Sequence, residues 1–98
     1  MTATPVPAEL LEARKEIDRI DQALIDLLVE RFSWTHRVGL VKATHGLEAV
    51  DAEREAQKLA RIREQCQEQG VNPDLVVELF TRIMEEVVRN HRQLANKP

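Results

Sequence analysis

The fold is decided by residues 10–42, which read LLEARKEIDRIDQALIDLLVERFSWTHRVGLVK. Apolar side chains recur every three or four residues along this stretch, and that spacing is typical of one face of an α-helix. The face consists of Leu10, Ala13, Ile17, Ile20, Leu24, Leu27, Trp34, Val38 and Val41. No proline interrupts the stretch, and the first clear break is at Gly46. We therefore predict one helix from about residue 7 to about residue 44.

The predicted first helix is long for a chain of 98 residues. About 35 residues at 1.5 Å each form a rod of roughly 50 Å, whereas a compact domain of this size has a radius of gyration of about 13 Å. Two shorter helices of the same chain could cover only part of the apolar face. A second copy of the chain lying alongside is the simplest cover, so we predict an intertwined helical homodimer.

Two shorter helices follow the break. Asp51 is a favourable N-cap and Gly70 a favourable stop for the second helix. The pair Asn72–Pro73 predicts the start of the third, because proline is well tolerated at the first helical position. We therefore predict an all-α fold, a three-helix protomer with one long N-terminal helix. It forms a single domain over residues 1–98, with an ordered core from about 8 to about 95.

The composition excludes several classes of function. The formal charge is −3, whereas proteins that bind nucleic acids or membrane surfaces usually present a basic face. The single cysteine, Cys66, and three scattered histidines offer no metal-ligand spacing, so we expect no metal site. The N-terminus lacks the features of a signal peptide, and no segment approaches the ~18 apolar residues of a membrane span. The expected location is the cytoplasm.

One position of the apolar face carries a charge. The alternation of three and four residues places Arg31 between Leu27 and Trp34, and a guanidinium in an apolar seam is costly unless it is paired. Lys42 lies on nearly the same side of the helix, roughly 16 Å further along its axis, so the two cations could grip a small anion. Arg14 is ~42 Å from Lys42 along one helix and could reach that region only from an antiparallel partner.

Polar groups also stand out on the other two helices. The second helix opens with Asp51, Arg54 and Glu55, so its first turn combines free backbone N–H groups, a cation and a carboxylate. Such a turn can bind an anion and accept a hydrogen bond from a substrate hydroxyl. On the third helix, His91 continues a line of apolar residues that includes Val87.

Each of these residues also has a purely structural interpretation. Arg31 could set the register of a coiled coil. Lys42 at a helix C-terminus suits the helix dipole, and Arg14 could pair with an acidic residue one turn away. Asp51 is explained as an N-cap, and Glu55 as a solvated residue.

In order and spacing, however, these residues resemble the small all-helical class of chorismate mutases. The likeness runs over nearly the whole chain, from about Leu10 to about Leu94. Its specific segments are LLEARKEIDRID at 10–21, LLVER at 27–31, VGLVK at 38–42 and DAERE at 51–55, followed by Leu79, Phe80 and the segment reaching His91.

The resemblance implies a cofactor-free isomerase of the shikimate pathway and aromatic amino acid biosynthesis, which converts chorismate to prephenate. It implies a homodimer with two equivalent sites. In each site Arg14 of one protomer joins substrate-binding residues of the other, namely Arg31, Lys42, Asp51, Arg54, Glu55 and Val87. The resemblance leaves open whether a larger pathway enzyme binds the dimer.

The roles implied by the resemblance fit the chemistry of these side chains. Arg14 and Arg31 would grip the two carboxylates of chorismate, because a guanidinium binds a carboxylate bidentately. Lys42 would donate to the ether oxygen as the C–O bond breaks. Glu55, with the backbone at the start of the second helix, would orient the ring hydroxyl, and Arg54 would support this charge network. The catalytic residues would be Arg31, Lys42 and the residue at position 91.

The chain departs from the family pattern at two positions. Small bacterial mutases commonly have Gln where this chain has His91. In those relatives the Gln contacts the ether oxygen together with the lysine that corresponds to Lys42. If His91 takes over this contact, the rate should rise toward mildly acid pH, because a protonated imidazole donates with charge. Val87 stands where a small polar residue is frequent, so one contact to the ring carboxylate would be missing.

Three alternative functions remain open at this point. Relatives with the same fold eliminate pyruvate from isochorismate, although the pair Arg54 and Glu55 favours the mutase pattern. Others rearrange 4-amino-4-deoxychorismate, and Glu55 could accept a hydrogen bond from its ammonium group. The third alternative is a non-catalytic helical dimer, in which charge reversal at Arg31 would change the oligomeric state without affecting any ligand.

Overall fold

The computed structural model describes residues 4–96 and contains three helices, α1 (Ala8–Thr44), α2 (Ala52–Gln69) and α3 (Pro73–Ala95). No strand occurs within this range. The all-α prediction is therefore confirmed, and the observed helices begin and end within about a residue of the predicted positions. The sequence signals that set these bounds are local, which explains why they could be read without tertiary contacts.

Caps define the short helices. The carboxylate of Asp51 accepts a hydrogen bond from the backbone N–H of Arg54 at 3.2 Å and so starts α2. Gly70 ends α2 in the left-handed conformation with φ 72°, which glycine adopts without steric cost. The side chain of Asn72 accepts from the N–H of Asp74 at 3.1 Å, and Pro73 occupies the first position of α3.

The chain divides into two compact units at Ser33 and Trp34, and the helix α1 continues through this boundary. The first unit contains the helical residues from Ala8 to Ser33. Its exposed surface carries an ion pair between Arg19 and Glu16 at 2.9 Å. None of the described residues of this unit has a buried side chain.

The second unit contains the end of α1 together with α2 and α3. An ion pair of 2.8 Å joins Arg63 of α2 to Asp74 of α3 on the exposed surface. The buried residues among those described are few, and they all lie in this unit: Gly39, Ile62 and His91. A core of this size leaves most apolar side chains in contact with solvent.

The apolar face of α1, called the seam from here on, is exposed in the single chain. The exposed fractions of its eight large residues run from 41% to 61%, and the residues are Leu10, Ile17, Ile20, Leu24, Leu27, Trp34, Val38 and Val41. Exposed large apolar side chains in such number on one helix usually mark an interaction site. None of the helices described is long and apolar enough to span a membrane.

Candidate active site

Lys42 lies in the last turn of α1 and is half-buried. Its Nζ donates a hydrogen bond of 3.1 Å to the backbone carbonyl oxygen of Ala49, in the connection to α2. An ammonium group has three N–H donors, so two remain for an acceptor outside this contact. The tether to Ala49 restricts the directions in which those two donors can point.

The first turn of α2 is organised by Asp51. Its side chain caps the N–H of Arg54, and its backbone carbonyl accepts from the N–H of Glu55 at 3.0 Å. The carboxylate of Asp51 therefore has a structural task at the positive end of the helix, where a negative charge is favourable. These two hydrogen bonds hold the backbone of Arg54 and Glu55, the other two predicted site residues of this turn.

Glu55 lies beside a cavity that is lined mainly by residues of α2 and α3. The carboxylate side chain is half-buried, and the cavity has a volume of about 660 Å³. Its apolar lining includes Val50, Leu59, Met84 and Val88. Polar and charged residues complete the lining, among them Glu85, Arg89 and Arg92. A cavity with both apolar walls and polar groups can fix the orientation of a small molecule.

Arg54 faces a different cavity of about 400 Å³, on α2 itself, together with Lys58 and Arg61. Successive residues of a helix point about 100° apart, so adjacent positions can line separate cavities. In this chain the structure therefore does not bring the side chains of Arg54 and Glu55 into one cavity. The sequence pattern, which treats them as one cluster, contains no information on this separation.

His91 is buried, with 4% of its surface exposed. Its Nε2 lies 2.8 Å from the backbone carbonyl oxygen of Thr35 in α1. A carbonyl oxygen can only accept, so Nε2 carries the proton and donates. The other ring nitrogen, Nδ1, is buried without a hydrogen-bond partner. A contact from Nε2 to a substrate would require this nitrogen to leave Thr35.

The other predicted site residues lie on α1 and α3. Val87 is half-buried on α3, one turn before His91, and contributes no polar atom. Arg14 is exposed and Arg31 is half-buried, and both belong to the first unit. Lys42 and the predicted residues of α2 and α3 belong to the second unit.

Two residues of α1 that pack against His91 were not predicted from the sequence. Thr35 offers the carbonyl, and Gly39 offers the space, since a Cβ at Gly39 would lie only 2.6 Å from Cδ2 of His91. Gly39 itself was a signal in the sequence. A glycine inside a helix is unfavourable by roughly 1 kcal/mol relative to alanine, and it often indicates that another element packs closely against the helix. The partner of that approach could not be read from the sequence.

A sequence model of the chorismate mutase type II family matches residues 13–92. The chain belongs to this family. The matched range contains every site residue that the sequence analysis named, from Arg14 to His91. The family resemblance stated from the sequence is thereby confirmed, while the role of each residue in this family member stays a prediction.

Three relatives illustrate the similarity of this type II family member to known proteins. A T-protein of Enterobacter agglomerans is 43% identical over 79 residues, which cover 81% of the chain and 21% of that protein. A T-protein of Haemophilus influenzae is 35% identical over 88 residues, which cover 90% of the chain and 23% of that protein. A chorismate mutase of Methanocaldococcus jannaschii is 35% identical over 77 residues, which cover 79% of the chain and 78% of that protein. The chain thus spans less than a quarter of the length of the two T-proteins.

Proposed function

We propose that this protein is a chorismate mutase, which rearranges chorismate to prephenate and so serves aromatic amino acid biosynthesis in the cytoplasm. The observation that carries the proposal is the family match over residues 13–92, a range that includes the half-buried, tethered Lys42. The similarity to a chorismate mutase of comparable length supports the same activity.

The reaction suits a site built from cations and hydrogen-bond groups. Within one molecule, the ether C–O bond breaks while a C–C bond forms between the enolpyruvyl arm and the ring, so no external reagent is consumed. Catalysis then requires that the arm is held over the ring, which converts binding energy into orientation. It also requires stabilisation of the negative charge that develops on the ether oxygen.

The cations take separate roles in this proposal. Arg14 and Arg31 bind the two carboxylates of the substrate and fix the plane of each. Lys42 directs its free N–H donors to the ether oxygen, where a preorganised donor is most effective because its position is already set before the bond breaks. Its hydrogen bond to Ala49 supplies that preorganisation.

The polar groups of α2 orient the ring. Glu55 accepts a hydrogen bond from the ring hydroxyl, and the backbone at Asp51 assists. The half-buried position of Glu55 beside the cavity supports this role, because partial removal from water strengthens a hydrogen bond between a carboxylate and a hydroxyl. Arg54 contributes positive charge to the same end of the helix. Val87 provides packing in place of a polar contact.

The functional unit in this proposal is a homodimer in which Arg14 enters the site of the partner subunit. The exposed seam of α1 supports it, since eight large apolar side chains would otherwise remain in water. Burial of apolar surface contributes about 25 cal/mol per Å², so covering this seam with a second copy is strongly favourable. Any binding to a larger pathway enzyme would use surfaces outside the seam.

The decisive experiment incubates the purified protein with chorismate, isochorismate and 4-amino-4-deoxychorismate in parallel and identifies the products. We expect prephenate from chorismate, with much slower conversion of the other two. Preferred release of pyruvate from isochorismate would replace the proposal with the lyase alternative. Preferred rearrangement of the amino analogue would indicate that Glu55 binds an ammonium group, and no turnover of any of the three would favour the non-catalytic dimer.

A further inference from the structure

The two ring nitrogens of His91 have different surroundings. Nε2 donates to the carbonyl oxygen of Thr35 at 2.8 Å, whereas Nδ1 is buried with no hydrogen-bond partner. The neutral imidazole is therefore the tautomer with hydrogen on Nε2. Neither nitrogen is available to a ligand in this arrangement, because the first is engaged and the second is covered by the protein.

Gly39 makes the close approach of His91 possible. A Cβ at this position would lie 2.6 Å from Cδ2 of His91 and 2.8 Å from Cδ1 of Leu94. Gly39 is itself buried. Alanine would therefore force both side chains of α3 away from α1, and the hydrogen bond to Thr35 would lengthen or break.

The contact lies directly beside the segment that carries Lys42. Thr35 and Gly39 are one helical turn apart on α1, and Lys42 follows in the next turn. The imidazole thus attaches α3 to the backbone of α1 at a fixed distance along the α1 axis from Lys42. Because the acceptor is a backbone atom, the bond holds the helix α1 itself and not one of its flexible side chains.

We propose that His91 is a positioning residue, which sets the α1 segment of Lys42 against α3 through Nε2 and does not itself contact the reacting ether oxygen. The inference rests on the proposed function for the role of Lys42. It departs from the expectation that His91 takes the place of the glutamine common in the family. In this protein Lys42 is the donor to the ether oxygen, and Gly39 and His91 act as a matched pair that supports it.

Two substitutions separate the two ring nitrogens. The amide nitrogen of glutamine stands as many bonds from Cα as Nε2, so His91→Gln can still donate to Thr35. The amide nitrogen of asparagine stands where Nδ1 does, so His91→Asn loses the bond to Thr35. We expect kcat to fall by roughly 10- to 100-fold in His91→Asn, because a misplacement of about 1 Å is sufficient for such a loss. KM should change little, since the carboxylate-binding arginines are intact.

Gly39→Ala tests the same contact from the other helix. It leaves His91 in the chain but displaces its ring, so we expect a fall in kcat similar to that of His91→Asn, again with little change in KM. The variant His91→Gln should recover most of the kcat lost in His91→Asn. Equal kcat values for wild type and His91→Asn would overturn the proposal, as would a Gly39→Ala variant with unchanged kcat.

A spectroscopic measurement distinguishes positioning from direct donation. Imidazole ¹⁵N spectra of the free protein should assign hydrogen to Nε2 of His91. Addition of a bicyclic dicarboxylate that mimics the rearrangement transition state should leave both ¹⁵N shifts unchanged while it displaces chorismate. An analogue-induced change at either nitrogen, or a rate rise toward acid pH that His91→Gln abolishes, would show that His91 contacts the reacting atoms.

The free-protein spectrum also separates this inference from the proposed function. If the protein fails to convert chorismate but the hydrogen is on Nε2 in the wild type, the contact between His91 and Thr35 stands and the proposed function fails. If the hydrogen is on Nδ1 in a protein that converts chorismate, the proposed function stands and the positioning role fails.

Discussion

The ammonium group of Lys42 is tied to the backbone carbonyl oxygen of Ala49 by a hydrogen bond of 3.1 Å. The bond spans the connection between α1 and α2, so the cation at the end of one helix is held by the segment that leads to the cap of the next. A lysine is otherwise among the most flexible side chains. This tether gives Lys42 a defined position before any substrate arrives.

Replacement of Lys42 should reduce catalysis more than stability. We expect Lys42→Ala to lower kcat by about 100- to 1000-fold, the loss typical of one donor to a developing oxyanion. Lys42→Gln keeps a neutral N–H donor on a side chain one bond shorter, and we expect it to be nearly as slow because the positive charge is lost. Consumption of chorismate followed by absorbance measures the rates. Lys15→Ala on the same helix is the matched control, and a comparable loss in it would argue against a specific role for Lys42.

Removal of Arg31 should abolish turnover and leave the dimer intact. Truncation of this side chain removes the proposed carboxylate grip, whereas the apolar residues of the seam around it remain. Sedimentation analysis and the rate of prephenate formation are measured on the same Arg31→Ala sample. A shift to monomer with unaffected turnover would instead identify Arg31 as a register device of the seam.

A mixture of two inactive variants should regain activity if Arg14 acts across the dimer interface. In a hybrid of Arg14→Ala and Arg31→Ala protomers, one site carries both defects and the other carries neither. Random reassortment makes half of the dimers hybrid, and half of the hybrid sites are intact, so about a quarter of wild-type activity is expected. The variants are unfolded together, refolded and assayed. Absence of any recovery, with hybrids detected by mass spectrometry, would place both arginines in the same protomer's site.

A charge in the seam should dissociate the proposed dimer. Leu24 belongs to the seam with an exposed fraction of 55%, whereas Val29 is off the seam with an exposed fraction of 66%. Leu24→Glu would bury a carboxylate against apolar side chains of the partner, which is strongly unfavourable. We therefore expect a monomer from Leu24→Glu and a dimer from Val29→Glu by light scattering. Dissociation by both variants to the same extent would exclude the seam as the specific interface.

Loss of the cap at Asp51 should destabilise α2. The side chain of Asp51 accepts from the N–H of Arg54, and removal of such a cap costs about 1 kcal/mol. For a domain of this size that corresponds to a decrease in Tm of about 4–8 °C for Asp51→Ala. Asp51→Asn keeps the acceptor and should restore most of the Tm, as measured by circular dichroism. An unchanged Tm in Asp51→Ala would mean that the cap contributes nothing to stability.

The sequence by itself determined the three helices and the caps that bound two of them, because these depend on residues within a few positions of one another. Asp51, Gly70 and Asn72 each act on their own helix end, so their signals needed no knowledge of the fold. The seam of α1 was equally readable, since its spacing of three and four residues is a property of one helix. Recognition of the family also depended on order and spacing alone.

Only the tertiary structure decided how the polar residues are used. His91 and Thr35 are 56 positions apart, and no periodicity relates them, so the hydrogen bond between them follows from the packing of α3 against α1. The same holds for Lys42, whose acceptor is a backbone atom of a connection without a regular pattern. Adjacent residues Arg54 and Glu55 line separate cavities because a helix turns about 100° between them. Chemistry-bearing residues can thus be selected from the sequence, whereas the partner of each is a property of the packed helices.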